Sequence, residues 1–187
     1  YNVKVDVYSI ICGTITHFDD ENRANNEIPV ICESIAVHDL NSFKRVKVDT
    51  MISTSVSYLH HTGMLGVRHS DIEGLEASAG EASDKLGNIL GDARKLLVLG
   101  HGENIYIPSR IASYLEKKGY DVSFRTTSRT PIFCDGEIIK DAVKFISHGD
   151  VYHFYNVQDA EMYDAVVMIA NNEFNYKLCD NVIIFNA

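Results

Sequence analysis

The sequence predicts an α/β fold: a mostly parallel sheet with flanking helices, plus a β-rich N-terminal part. Three observations carry this expectation. Residues 95–100, Lys-Leu-Leu-Val-Leu-Gly, are a nearly continuous apolar run, as in central strands covered on both faces. A helical stripe (Ile107, Ile111, Ala112, Leu115) follows it and stops at Gly119, beyond which Val122 and Phe124 alternate with polar residues. This strand-loop-helix-strand succession of about 30 residues is the basic piece of a parallel sheet. The first third of the chain is instead rich in Val, Ile and Thr, which strands favour.

Taken in order, Val3, Val5 and Val7 alternate and Ile10-Ile11-Cys12 continue the run. Residues 19–26 read as a polar turn. Pro29-Val30-Ile31-Cys32 and then Val46, Val48 and Met51-Ile52 suggest two further strands, and 53–66 reads as loop with at most one short element. Ser70-x-x-Glu73 has capping-box spacing, in which hydroxyl and carboxylate satisfy free amides at a helix start. Ile72, Leu75, Ala79, Ala82, Leu86, Ile89 and Leu90 then form one helical stripe. Gly74, Gly80 and Gly87 lower its intrinsic helicity, so packing must hold it. Pro108 suits the first turn of the next helix, and Lys117 and Lys118 its negative carboxyl end. Ile139, Ala142, Val143 and Ile146 predict a helix over 138–146. Residues 151–157 read as extended and aromatic, and 165–169 and 182–185 as two buried strands. The expected division is a β-rich part over 1–55, packed on an α/β domain over 56–187.

The 187 residues carry 17 Lys and Arg against 26 Asp and Glu, a formal charge of −9. That balance argues against a nucleic-acid surface, which needs clustered cations, yet leaves room for a small phosphate pocket. No apolar run approaches the roughly 20 residues of a membrane span, so no membrane partner is expected. No signal-peptide pattern opens the chain, which starts at Tyr1 and ends on an apolar run; it reads as a piece of a longer, cytoplasmic protein. Cys12, Cys32, Cys134 and Cys179 show no metal-ligand spacing and read as buried free thiols.

Chemistry is expected at strand ends. Gly100-His101-Gly102-Glu103-Asn104 follows one buried strand and precedes a helix, where open α/β sheets bind ligands. It is neither a dinucleotide fingerprint nor a Walker loop. Arg125-Thr126-Thr127-Ser128-Arg129-Thr130 ends the neighbouring strand on the same side. Guanidiniums among hydroxyls suit phosphate or carboxylate oxygens. Arg68 and His69 precede the first helix, where cations do not stabilise the dipole. No metal is expected: His60-His61 point apart, His148 and His153 lack a carboxylate pattern, and His17 with Asp19, Asp20 and Glu21 reads as a solvated turn. Mg²⁺ would enter only with a phosphorylated ligand. There is no nucleophile elbow, and no acidic pair before Thr-Gly-x-Thr of the kind that holds ribose 5-phosphate in ordinary phosphoribosyltransferases.

These segments together resemble the TRSP domain family, typically found C-terminal to a phosphoribosyltransferase domain in bacterial tellurium-resistance-associated operons. Thr127-Ser128-Arg129-Thr130-Pro131 matches its Thr-Arg-Ser-Pro motif and the Thr before it, with Ser and Thr exchanged at two places. Residues 96–104 match its strand and loop through Glu103, with Asn104 departing from an apolar pair. Arg68-His69 matches an Arg-His pair, with Ser70 in place of Gly. Tyr155-Asn156-Val157 and Tyr163-Asp164 match later positions, and the likeness spans residues 60–170.

The resemblance implies a Rossmann-like or phosphoribosyltransferase-like sheet and a role in making a nucleoside-like metabolite linked to stress and tellurium resistance. The expected ligand is a phosphorylated, ribose-containing small molecule. Its binding residues would be Arg68, Gly100, His101, Gly102, Arg125, Thr126, Thr127, Ser128, Arg129 and Thr130, with Glu103 and His69 as candidate catalytic groups. If the chain turns over a substrate, a phosphoribosyltransferase-type transferase is implied. The alternative is a non-catalytic ligand-binding or docking module beside an upstream phosphoribosyltransferase domain.

Overall fold

The computed structural model describes residues 28–48, 56–59, 68–147, 149–170 and 174–187. The strands expected before residue 13, the acidic turn at 17–21, Cys12, His60-His61 and His148 lie outside them. Strands β1 (Val37–Asp39), β2 (Arg45–Val48) and β3 (Val56–Leu59) come first. Then follow α1 (Ile72–Leu90), β4 (Lys95–Gly100), α2 (Tyr106–Lys117), β5 (Asp121–Thr126), β6 (Ala142–Ser147), β7 (Asp150–Tyr155), α3 (Val157–Ala160), β8 (Ala165–Ala170) and β9 (Val182–Asn186).

Five strands form one parallel sheet in the order β1-β9-β8-β4-β5. The α/β expectation therefore holds, and β1 supplies an edge of this sheet from the N-terminal part. The pairs β2/β3 and β6/β7 are separate antiparallel ribbons. The chain leaves β4 toward β5 on one side and later returns to β8 on the other. Strand order thus reverses at β4, the point where open sheets offer a crevice beyond their carboxyl ends.

The apolar run of β4 is buried on both faces because consecutive side chains point oppositely. Leu96 and Val98 meet α1 and α2, alongside Val167 and Ile169 of β8. Leu97 and Leu99 pack with Val166 and Met168 against the β6/β7 hairpin, through Phe145, Tyr152 and Phe154. One face of the sheet is therefore covered by helices and the other by a β-ribbon.

Helices α1 and α2 run side by side in the same direction. Glu76 accepts two hydrogen bonds from Arg110 (2.6 and 2.7 Å) and one each from Tyr114 (3.1 Å) and Tyr106 (3.4 Å). Further along, Lys118 binds Asp84 and the Ser83 hydroxyl. Arg110 above all, with the tyrosine hydroxyls, holds the Glu76 carboxyl below its ordinary range. Both amino ends therefore face the end of the sheet to which β4 and β5 run. A Cβ at Gly80 would rest 3.8 Å from the Tyr114 ring, an ordinary contact. Gly80→Ala is expected to stabilise the fold by about 0.5–1 kcal/mol, read as a higher urea midpoint at unchanged slope.

Several expectations are corrected. Residues 142–147 form strand β6, not a helix. Val143 and Phe145 face the sheet while Ile146 is exposed. A short apolar run satisfies both periods, and the bonds to β7 decide between them. The capping box does not form: Ser70 sits inside a 3₁₀ turn (His69–Asp71), and no side chain caps α1. Of its stripe, Ile72 and Ile89 are exposed. Around Val30 there is only a bridge to Lys144, with hydrogen bonds on either side. Among the described cysteines all three are free, but Cys32 is exposed and Cys134 half-buried. Only Cys179 is buried, and desolvation pushes its thiol up to about 12. No described helix is long and apolar enough to cross a membrane.

Candidate functional site

The loop after β4 is built to sit low over the strand end. Gly100 faces the returning chain so closely that a Cβ there would stand 2.6 Å from the Asn104 carbonyl oxygen. Asn104 donates its N–H to the His101 carbonyl (3.0 Å), which closes the turn, and Gly102 adopts φ +57°. At Gly102 a Cβ would also press on the Tyr152 phenol, 3.2 Å from its oxygen. Glycine is needed at both positions for steric reasons.

The segment after β5 is fastened to this loop by Thr127, which is only 3% exposed. Its N–H donates to the Gly100 carbonyl (3.0 Å), and its hydroxyl oxygen accepts from the Gly102 N–H (3.2 Å). The same hydroxyl meets His101 Nδ1 at 2.9 Å, while His101 Nε2 meets the Ser147 hydroxyl at 3.1 Å. A neutral imidazole satisfies both contacts, one nitrogen donating and the other accepting. The His101 ring also lies among Tyr152, Phe174 and Phe145, with centroids at 4.5, 4.9 and 5.7 Å.

The hairpin aligns the rest of the segment. Ser128 exchanges backbone hydrogen bonds with His153 (3.0 and 2.7 Å). Tyr155 donates its hydroxyl to the Thr130 carbonyl and accepts from the Ile132 N–H, both at 2.7 Å. The Ser128 hydroxyl accepts from the Thr130 N–H (3.0 Å). The two loops then enclose an open cleft of about 260 Å³, lined by Gly102, Glu103, Ile105, Tyr152 and residues 126–130. Arg129 spans its rim, donating to Glu103 (3.1 Å) and Asp150 (3.4 Å). Tyr152, Asp150 and Glu103 all favour the charged guanidinium and raise its pKa.

Of the residues expected to share a pocket, Gly102, Glu103, Thr126, Thr127, Ser128, Arg129 and Thr130 line this cleft. Gly100 lies beneath the loop, and His101 is held by Thr127 and Ser147 outside the lining. Arg125 reaches the Asn156 carbonyl (3.4 Å) instead. Arg68 and His69 are exposed at the amino end of α1, which shares the cleft's end of the sheet, but they do not line it. Sequence reading misses Tyr152 and Asp150, and gives Tyr155 only as a motif position. Nothing in the aromatic run over 151–157 links it to residues 126–130.

The later motif residues act as fasteners. Asn156, at φ +55°, bridges Lys140 N–H (2.8 Å) and the Ile138 carbonyl (3.1 Å). Asp164 accepts from the N–H groups of Lys95 and Arg94 (2.8 and 2.7 Å). Those bonds tie the start of β4 to β8 and hold the carboxyl below its ordinary range. Asn104 is buried, and neither atom of its amide finds a partner among the described residues. Those residues also contain no group of three or more metal-ligating side chains.

A family model described as the TRSP domain C-terminal to PRTase_2 matches residues 61–184. No match is found among curated proteins or among solved structures.

Proposed function

Because this chain belongs to the TRSP domain family, whose domain lies C-terminal to PRTase_2, we propose that the cleft binds a phosphorylated, ribose-containing small molecule. One observation carries the reading: a guanidinium, five hydroxyl-bearing residues (Thr126, Thr127, Ser128, Thr130 and Tyr152) and a carboxylate line a single cleft beyond a parallel sheet. Arg129 takes phosphate oxygens, with the Ser128 and Thr130 hydroxyls as added donors. Glu103 accepts from ribose hydroxyls, and is the group in place for proton transfer if the bound molecule reacts. His69, the other candidate catalytic group, stands outside the lining. A nucleoside-like metabolite of a stress response is the first ligand class to screen.

Calorimetry with ribose 5-phosphate and nucleoside monophosphates tests this. Arg129→Ala is expected to weaken binding by about tenfold or more, the scale of a lost charge-assisted hydrogen bond. Unchanged affinity would remove phosphate from the cleft's role.

A second reading, a docking module, is favoured by one surface. The segment between β5 and β6 leaves Phe133 60% and Ile138 76% exposed, with Ile132 also outward. A PRTase_2 domain is the partner whose position relative to this family is known. Phe133→Ser is expected to weaken association with that domain, measured by sedimentation of the mixture, while leaving ligand affinity unchanged. Equal association of both proteins would discard this surface.

A further inference from the structure

Among the described residues, Arg129 is the one cation that lines the cleft, and it is already engaged. Arg129 donates to both Glu103 and Asp150, so two carboxylates share one guanidinium and the rim is net negative. An arriving phosphate meets an occupied donor and two like charges. Inorganic phosphate can offer those carboxylates only its own P–OH groups, on the same small tetrahedron that must face Arg129, and no separate hydroxyl beside it.

The same lining includes Tyr152, with only 9% of its surface exposed. Its ring is fixed against His101 and stacked on Phe145, with centroids at 4.5 and 5.9 Å. Its hydroxyl end abuts Gly102 at the cleft wall and has no hydrogen-bond partner among the described residues. A rigid side chain thus presents one donor to the cleft with no protein acceptor.

Resting on the phosphate reading above, we infer that Asp150 and Glu103 gate Arg129, so that the cleft selects phosphorylated sugars over phosphate itself. The ligand's anion takes Arg129 from the carboxylates and accepts from the Tyr152 hydroxyl. Its neighbouring sugar hydroxyls then donate to Glu103 and Asp150, which would otherwise be left without the guanidinium. Only a molecule carrying both groups satisfies all four side chains at once.

The test is calorimetry with ribose 5-phosphate and with inorganic phosphate, on the unaltered chain, Asp150→Asn and Tyr152→Phe. The unaltered chain should prefer ribose 5-phosphate by about tenfold or more. Asp150→Asn should bind inorganic phosphate roughly two- to fivefold more tightly, the scale of an exposed ion pair, and narrow the preference. Tyr152→Phe should weaken both ligands roughly three- to tenfold with no change in unfolding midpoint, since the hydroxyl has no role in the fold. A merely structural Tyr152 would shift the midpoint instead. If Asp150→Asn binds both probes as the unaltered chain does, the gate is overturned and the phosphate reading stands. If no protein binds either probe, the phosphate reading fails and the gate with it.

Discussion

Phe145→Ala is expected to lower unfolding free energy by about 3–5 kcal/mol, measured by urea denaturation. Phe145 is fully buried between the hairpin and the sheet. It meets Phe174 edge-on at 5.2 Å, Tyr176 at 5.4 Å and Tyr152 at 5.9 Å. Truncation removes transfer free energy and leaves a cavity that a ribbon pinned at Ser128 and Lys144 cannot collapse to fill. Its strand neighbour Ile146 points outward, so Ile146→Ala should stay within about 0.5 kcal/mol of the unaltered chain. This contrast distinguishes strand from helix, because a helix built on the 139–146 stripe would bury Ile146. Similar losses at both positions would contradict the hairpin packing. The aromatic contact to Tyr152 extends the effect to the cleft, so ligand affinity should fall with stability.

Thr127→Val is expected to produce the second large effect. Valine keeps the shape and removes the hydroxyl that accepts from the Gly102 N–H and pairs with His101 Nδ1. Stranding a buried donor or acceptor costs about 1–3 kcal/mol for each group, and the position is nearly inaccessible to water. The loops after β4 and β5 would keep the backbone bond from Thr127 to Gly100 but lose the hydroxyl's bonds between them, so cleft binding should weaken along with the fold. Thr127→Ser keeps the hydroxyl and should recover most of both. Full stability and affinity in Thr127→Val would mean that this hydroxyl does not join the loops.

The sheet's core was legible where one strand is buried on both sides. Residues 96–100 and 165–169 read as central strands, because neither face has polar residues to give to solvent. The α1 and α2 stripes were legible for a related reason: spacing over more than two turns exceeds what chance alternation produces. Residues 142–147 were not. Six residues carry too little pattern, and an antiparallel partner that the local sequence does not specify chose the strand.

The candidate cleft divides in the same way. That two polar loops end adjacent parallel strands can be read along the chain, and with it the nearness of Glu103 to residues 126–130, because a β-α-β unit leaves its strand ends on one side. Long-range packing sets the rest: Thr127 serves as a fastener, Arg125 turns away, and Tyr152 and Asp150 complete the rim. These last two residues come from a ribbon more than twenty positions later in the chain, laid across the sheet by burial of Phe145 and Phe154. Such contacts follow from hydrophobic burial, which has no fixed sequence separation, whereas strand and helix periods repeat along the chain and can be read from it.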